Sequence, residues 1–324
     1  MKSQLFGFLD GSEVVKYTLT NGTVEADILN YGGTITAIRV PDANGKMTDV
    51  VLGYETLEQY IAGKAYLGAL IGRYGNRIEN ATFVLNGEQY HVGCNESPNS
   101  LHGGIRGFDR RIWKATPEGD DKLTLSYLSP HGEEGFPGNL QVTVTYTVTP
   151  EDGLSIAYHA VSDRDTVINL TNHAYFNVHG IDNTTEDIKL WVDADAITPT
   201  DEALIPHNTF KDVDGTLYDF RMERPFICDL TKDPVLGKRN CYDDNFVLNG
   251  KGMRKVSYTR SDKTGITMEV ITDQPGMQIY TGNKKGIALE TQNFPNAMNC
   301  PAYPSPILRA GETYHTTTIY RFHT

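Results

Sequence analysis

A nine-residue stretch near the middle of the chain alternates apolar residues with threonines, and this pattern constrains the fold more than any other feature. The stretch is Gln141–Thr149, in which Val142, Val144, Tyr146 and Val148 stand two residues apart. Successive side chains of a β-strand point to opposite faces, so only a strand gathers these residues on one face. The stretch therefore predicts a strand that packs its apolar face against a core.

Shorter runs of the same alternation extend along most of the chain. They are Val24–Ile28, Leu123–Tyr127, Leu154–Ala160, Val256–Tyr258 and Thr318–Phe322. Asn-Gly and Asp-Gly pairs, which suit tight turns because both residues tolerate positive φ, begin at residues 10, 21, 44, 86, 152 and 249. Many short strands joined by tight turns predict an all-β protein, specifically a large antiparallel β-sandwich.

Helical patterns are scarce. Only Thr56–Ile61 is suited to one or two helical turns, with Thr56 as the N-cap. Because the strands do not alternate with long helices, a parallel α/β sheet is disfavoured. The length of 324 residues allows two domains, but β-rich folds often use such a length in one. The sequence has no linker, low-complexity tract or short internal repeat, and we expect residues 1–324 to form a single β-sandwich domain with few short helices.

Acidic residues outnumber basic ones, 41 Asp and Glu against 29 Lys and Arg, which gives a formal charge of −12. This balance disfavours nucleic acid as a partner, since phosphate backbones attract basic faces, and it gives no support for an anionic membrane surface. No apolar run reaches the roughly 18 residues that cross a bilayer. Met1–Gln4 also lacks the apolar segment of a signal peptide. We therefore expect a cytoplasmic protein.

The cysteines and histidines show no spacing typical of a metal site. Cys94, Cys228, Cys241 and Cys300 form no C-x-x-C pair, and we expect them to be buried, reduced thiols. The nine histidines include no H-x-x-x-H pattern. The glycine motifs that bind nucleotide phosphates are missing as well. The sequence therefore predicts neither a metal nor a cofactor.

Several polar, glycine-containing segments interrupt the strand rhythm. They are Gly72–Ile78, Asn99–Gly104, Asn169–Asn177, Tyr242–Phe246, Gln274–Asn283 and Leu289–Pro295. Together they offer histidines, carboxylates, amides and an arginine beside aromatic rings. This mixture suits a sugar, because polar groups pair with hydroxyls while the C–H faces of the ring rest on apolar walls.

Three of these segments carry a resemblance to a known family. They read Asn-Ser-Leu-His-Gly-Gly at 99–104, Leu-Thr-Asn-His-Ala-Tyr-Phe-Asn at 170–177 and Leu-Glu-Thr-Gln-Asn at 289–293. In this order they resemble the aldose 1-epimerases, or galactose mutarotases, and the similarity runs nearly from end to end. The resemblance implies a large antiparallel sandwich. It also implies an isomerase that interconverts the α and β anomers of free aldohexoses such as D-galactose and D-glucose without a cofactor.

The family's reaction needs one base and one acid. The base removes the proton from the anomeric hydroxyl O1, and the acid protonates the ring oxygen O5 as the C1–O5 bond breaks. By resemblance, Glu290 is the general base and His173 is the general acid. His102 is a supporting histidine on the ring side of the sugar. Which of the two histidines delivers the proton stays open at this point.

The resemblance also implies a set of substrate-binding residues. They are Asn76, Arg77, His102, Tyr175, Asp243 and Gln278. Arg73 is a nearby competitor of Arg77, and Asp244 is an alternative to Asp243 that the Asp-x-Asn-Phe spacing disfavours. Gln274 is assigned to a turn with Pro275 and Gly276.

Other functions stay open. A hexose-6-phosphate 1-epimerase would need extra cations for the phosphate, and the acidic balance opposes it. A non-catalytic sugar-binding sandwich has no use for an acid–base pair, and most glycosidases need two carboxylates across the bond. The preferred aldose and the choice between monomer and homodimer are not fixed by the sequence.

Overall fold

The computed structural model describes residues 1–324, and antiparallel strands dominate it. Numbered along the chain, the strands of the first third are β1 Lys2–Leu9, β2 Ser12–Thr20, β3 Glu25–Leu29, β4 Ile35–Pro41, β5 Met47–Asp49, β6 Leu70–Ile71, β7 Arg77–Ile78, β8 Thr82–Leu85, β9 Glu88–His91 and β10 Ser100–Leu101. Those of the middle are β11 Lys114–Glu118, β12 Lys122–Ser129, β13 Leu140–Val148, β14 Gly153–Ser162, β15 Thr166–Val167, β16 Thr171–Asn172, β17 Tyr175–Phe176, β18 Lys189–Val192, β19 Ala194–Thr198, β20 Lys211–Asp212 and β21 Arg224–Pro225. The last are β22 Asp243–Leu248, β23 Arg254–Arg260, β24 Thr267–Thr272, β25 Gly276–Tyr280, β26 Ile287–Gln292, β27 Ile307–Leu308 and β28 Thr313–His323.

Both α-helices are short. Helix α1, Leu57–Ala62, begins with a capping box in which Thr56 and Gln59 satisfy each other's backbone N–H groups, so the predicted helix and its cap are confirmed. Helix α2, Pro234–Arg239, is capped by Asp233 and was not predicted. Its six residues include Gly237 and are too few to show a helical period. Single 3₁₀ turns occupy Glu79–Ala81, Phe108–Arg110, Glu133–Gly135, Leu230–Lys232 and Ala297–Asn299.

Three large sheets dominate the architecture, beside four two-stranded ones. One has nine strands in the order β11-β12-β13-β14-β28-β24-β23-β18-β21, one has six in the order β17-β26-β25-β22-β19-β20, and one has five in the order β1 to β5. Buried side chains of all three sheets, such as Val144, Ile279 and Ile28, belong to one core cluster of 52 residues. The predicted all-β, antiparallel fold is confirmed.

Strand β13 shows why the alternating pattern was informative. Val142, Val144, Tyr146 and Val148 are fully buried, while the threonines between them are partly exposed. Burial of each such apolar side chain contributes roughly 1.5–3 kcal/mol. A slip of one residue in the pairing with β12 and β14 would expose the whole set, so the pattern also determines the register.

The Asn-Gly pair at residues 86 and 87 forms a tight turn, as the sequence predicts. Asn86 and Gly87 both have positive φ, 54° and 81°, in the tight turn that joins β8 to β9.

The cysteines form no disulfide, but the expectation that all are buried is wrong, because Cys94 is exposed on a surface loop. No helix in the structure has the length and apolar character that crossing a membrane would require.

The six-stranded sheet provides the platform for the site. In its register Asp243 pairs with Tyr280 and Gln278 pairs with Glu290. Cross-strand partners and residues two apart share a face. Leu289 and Ile279 point to the opposite face and belong to the core. The sheet therefore buries one apolar face and presents carboxylate and amide side chains on the other.

Candidate active site

A cavity of about 430 Å³ lies over the polar face of the six-stranded sheet. Seven of the eight predicted site residues line it: Asn76, Arg77, His102, His173, Tyr175, Asp243 and Glu290. They come from distant parts of the chain, since the sheet supplies the carboxylates while loops and two-residue strands supply the histidines and the arginine. The fold thus gathers the sequence motifs at one place.

Gln278 is the predicted residue that does not line this cavity. It pairs with Glu290 in the register of β25 and β26, and its Nε2 donates a 2.6 Å hydrogen bond to Oδ1 of Asp243. Gln278 therefore contacts and orients Asp243 from within the sheet. A direct contact with a substrate stays a prediction for this residue.

Glu290 projects from β26 into the cavity and is 1% exposed. Its Oε1 lies 3.4 Å from Nε2 of His173, and its Oε2 has no hydrogen-bond partner within the protein. Burial raises the pKa of this carboxyl well above its usual range, and the nearby Asp243 adds to the effect while Arg77 opposes it. Such an environment makes a carboxylate a stronger base than one in water.

His173 faces Glu290 from the segment between β16 and β17. Its backbone is held on both sides, because its N–H donates to Ala69 and its carbonyl accepts from Gly68. The imidazole ring, unlike the backbone, lacks a hydrogen bond at one position, because its Nδ1 is buried and has no partner within the protein. Burial lowers the pKa of His173 to about 4. The surroundings thus favour the uncharged form of both members of the pair.

His102 is held in a different way from His173. Its N–H donates to the carbonyl of Asn76, and the N–H of Asn76 donates back to His102 Nδ1 at 3.1 Å. An Nδ1 that accepts a hydrogen bond leaves the proton of the neutral ring on Nε2. Burial lowers the pKa of this ring well below its usual value, and the neighbouring His173 and Arg77 add to the effect. His102 therefore presents a neutral Nε2–H donor.

The three residues could also be considered as metal ligands. One ligating atom each from His102, His173 and Glu290 lie within 4.8 Å of one another. A metal on Nε2 of His102 would push the ring proton to Nδ1, where it would face the N–H of Asn76. The donor set fits proton transfer and hydrogen bonding better than metal ligation.

Arg77 is buried, and it is held by an acidic partner, Glu96, that the sequence did not predict. Its Nε and Nη2 donate to the two carboxylate oxygens of Glu96 at 2.6 and 2.9 Å. Its Nη1 lies 3.9 Å from Oδ2 of Asp243. Asn76 adds a short-range contact, because its Oδ1 accepts the N–H of Arg77. The guanidinium is thus fixed with one edge directed toward Asp243.

Arg77 and its competitor Arg73 differ in position, as do Asp243 and Asp244. Arg73 is 2% exposed and donates to Ser129 and to the carbonyls of Pro130 and Pro137, so it supports a loop and does not line the cavity. Asp244 points away from the cavity and accepts a hydrogen bond from Arg239. Arg77 and Asp243 are the members of each pair that reach the cavity.

Other cavity residues were not predicted. They are Lys64, Ala65, Tyr66, Glu96, Leu101, Tyr280 and Asn283. Tyr280 carries a usable signal, since it stands two residues from Gln278 in a strand and therefore shares its face. Tyr66 and Glu96 lie in loops without a motif, and only the folded chain brings them to the cavity.

Comparison with known proteins gives a consistent result. The family model described as aldose 1-epimerase matches residues 15–321. The chain is 40% identical to galactose mutarotase of Homo sapiens over 96% of this chain and 95% of that protein. It is 34% identical to aldose 1-epimerase of Escherichia coli strain K12 over 97% and 96% of the two chains. Among solved structures, galactose 1-epimerase from Lactobacillus acidophilus superposes with a TM-score of 0.88 at 27% identity, covering 99% of this chain and 98% of that one.

Proposed function

Since the chain belongs to the aldose 1-epimerase family, it is an isomerase that interconverts sugar anomers, and we propose that Glu290 and His173 are its base and acid. The observation that carries this proposal is the 3.4 Å approach of the two side chains inside the cavity. We propose free aldohexoses such as D-galactose and D-glucose as substrates.

In the proposed reaction Glu290 takes the proton of the anomeric O1–H while His173 gives a proton to O5. The electron pair of the O1–H bond forms the carbonyl, and the C1–O5 bond breaks with its electrons on O5. The open aldehyde turns about C1–C2. The reverse proton transfers then close the ring on the other face, and the enzyme returns to its starting state. Two groups placed on O1 and O5 suffice for this chemistry.

The protonation states follow from burial. The pKa of Glu290 is raised and that of His173 is lowered to about 4, so over the intervening pH range the pair holds one proton in total. Movement of this proton from Glu290 to His173 gives the carboxylate and the imidazolium that the reaction needs. A sugar O1–H that donates to Glu290 stabilises that arrangement. Neither group requires a proton from solvent to begin a turnover.

We assign the transferred proton to His173 and a donor role to His102. The Nε2–H of His102 can donate to a sugar oxygen, whereas its Nδ1 is already used by the N–H of Asn76. A second proton on His102 would therefore break an internal hydrogen bond. His173 has no such restriction at Nδ1 and faces Glu290 directly.

Substrate hydroxyls are proposed to bind between Arg77 and Asp243. Glu96 fixes the guanidinium and Gln278 fixes the carboxylate, so both groups are oriented before a sugar enters. Asn76 uses its Oδ1 internally, which leaves its Nδ2 group to donate. Tyr175 donates its hydroxyl to the carbonyl of Ala65 and so offers its ring as an apolar wall.

The test follows anomer equilibration of freshly dissolved α-D-galactose by polarimetry or proton NMR. Glu290→Gln and His173→Asn should each lower kcat by at least about 10²-fold, the usual contribution of a positioned acid or base. The exposed Glu118→Gln and His159→Asn provide matched controls with expected wild-type rates. Near wild-type kcat in either folded cavity variant would contradict the assignment.

The same assay separates the alternative functions. A hexose-6-phosphate 1-epimerase would prefer glucose 6-phosphate to free glucose, and a sugar-binding protein would bind galactose without accelerating equilibration.

We further propose a cytoplasmic location, supported by four cysteines that are free thiols. The proposed partner is the small-molecule sugar, with the chain acting as a monomer or homodimer and without nucleic acid or membrane partners.

A further inference from the structure

The segment Ala65–Ala69 is tied to the backbone around His173. The N–H of Gly68 donates to the carbonyl of His173, and the N–H of His173 donates to the carbonyl of Ala69, at 3.0 and 2.9 Å. Asn172 adds a bond from its Nδ2 to the carbonyl of Gly68. Any side chain on this segment is therefore placed relative to His173 by short, direct connections.

Tyr66 lies in this segment with an unusual backbone. Its φ is +53°, which is uncommon for a bulky aromatic residue because its Cβ crowds the adjacent carbonyl oxygen. Glycine or asparagine adopts this conformation more readily. Residues held in such conformations cluster at functional sites, where surrounding structure maintains them. The backbone conformation of Tyr66 thus points to a functional role for its side chain.

The side chain of Tyr66 packs against both histidines of the cavity. Its ring meets His102 edge to face with a centroid distance of 4.7 Å, and lies nearly parallel to His173 at 6.0 Å and 27°. Tyr175 lies 4.9 Å from His173 at 36°. Tyr66 is thus the ring stacked on His173, while Tyr175 is tilted against it and the rings of His102 and Tyr280 meet it edge-on at 5.2 and 6.3 Å.

His173 is held by ring contacts where a catalytic histidine usually has a hydrogen bond at its second ring nitrogen. A catalytic histidine is commonly oriented by a partner on the ring nitrogen that does not react. His173 has no partner on Nδ1, whereas His102 has the N–H of Asn76. Glu290, which approaches Nε2, is the side chain that makes an ion-pair or hydrogen-bond contact with the ring of His173.

We propose that Tyr66 is a positioning residue for His173, whose ring holds the imidazole in the plane that directs Nε2 toward Glu290 and the sugar. The hydroxyl of Tyr66 has a minor part, since its contact is a long 3.5 Å bond from Asn95. The inference rests on the proposed role of His173 as the acid.

Three variants of Tyr66 separate the ring from the hydroxyl and the backbone. Tyr66→Phe keeps the ring and should stay within about twofold of the wild-type kcat. Tyr66→Leu removes the ring. Tyr66→Asn also removes it but suits positive φ, which protects folding from backbone strain. Both should lower kcat by about tenfold or more while KM changes by less than about threefold, because a misplaced acid slows the chemistry and not the binding.

A spectroscopic measurement supplements the kinetics. The Cε1–H signal of His173, titrated by NMR, should shift its midpoint toward the ordinary histidine value in Tyr66→Asn, since loss of the ring lets water reach the imidazole. Tyr258→Leu is the matched control, because Tyr258 is a partly buried tyrosine stacked on Trp191 and does not line the cavity. It should alter stability without changing kcat or the His173 signal.

The outcomes are distinguishable. Wild-type kcat in a folded Tyr66→Asn protein, or an equal loss in Tyr66→Phe, would overturn the positioning role. A rise in KM with unchanged kcat would also overturn it and would make Tyr66 a sugar contact only. His173→Asn is measured alongside: if it retains activity, the proposed function itself fails, and if it alone loses activity, only the role of Tyr66 fails.

Discussion

The Nε2 of His173 lies 3.4 Å from Oε1 of Glu290, and the two side chains are only 6% and 2% exposed. The closeness permits direct proton exchange, and the burial moves the two pKa values in opposite directions. An imidazole that loses its proton easily thus faces a carboxyl that keeps its proton well. In the proposed reaction, this relationship sets the pH range in which the pair holds the single proton to be transferred.

The first prediction is a bell-shaped pH dependence of kcat/KM. As pH falls through about 4, His173 gains a proton while Glu290 still holds one, so the base is lost and the rate falls. As pH rises past the raised pKa of Glu290, the pair loses its one proton and the acid is lost. The rate of galactose equilibration, measured by polarimetry across pH, checks both limbs. A rate independent of pH would contradict the shared proton.

A second prediction concerns His102 and its fixed tautomer. His102→Gln keeps an N–H donor and should retain more activity than His102→Leu. We expect His102→Leu to lower kcat/KM by about tenfold, which corresponds to the loss of one hydrogen bond of roughly 1.4 kcal/mol. Neither change should move the midpoints of the pH profile, because His102 stays neutral in the proposed reaction. Initial rates at several pH values test this. Loss of the alkaline limb in His102→Leu would instead make His102 the proton donor.

Sequence alone predicted the fold wherever strands were long enough to show a period. Strand β13 has nine residues, and its alternation fixed both its type and its buried face. Strands β7 and β17 have two residues each and carry Arg77 and Tyr175. Two residues cannot display a period of two, so family motifs, and not periodicity, pointed to them.

The parts of the site that escaped prediction depend on tertiary geometry. Glu96 meets Arg77 only because β10 pairs with β7 and returns the intervening loop to the arginine. Gln278 contacts Asp243 diagonally, since the direct partner of Asp243 in the sheet is Tyr280. Neither the register of a sheet nor the path of a loop can be derived from the local sequence around these residues.

The third prediction tests the support of Arg77 by Glu96. Glu96→Gln removes the charged partner of the bidentate pair with Arg77. It should raise KM for galactose by about tenfold with kcat within about threefold, because the guanidinium is proposed to bind hydroxyls and not to transfer protons. Glu118→Gln, an exposed carboxylate paired with Lys122 on a sheet edge, serves as the control. A tenfold loss in kcat with unchanged KM would place Glu96 in the chemical step.

The last prediction concerns the glycine that follows His102. Gly103 has φ +90°, and a Cβ there would lie 1.9 Å from the carbonyl oxygen of Gly72, so Gly103→Ala must displace the backbone that carries His102. Gly87→Ala is the matched control, since Gly87 has φ +81° with nothing within 4 Å. Gly87→Ala should lower the free energy of unfolding by about 1–2 kcal/mol, because alanine disfavours positive φ. Gly103→Ala should lower it by about 1–3 kcal/mol more, because of the added clash with Gly72. Urea unfolding gives both values, and kcat should fall in Gly103→Ala only. Equal stability losses with retained activity would show that the loop accommodates the methyl group and that the position of His102 does not depend on this glycine.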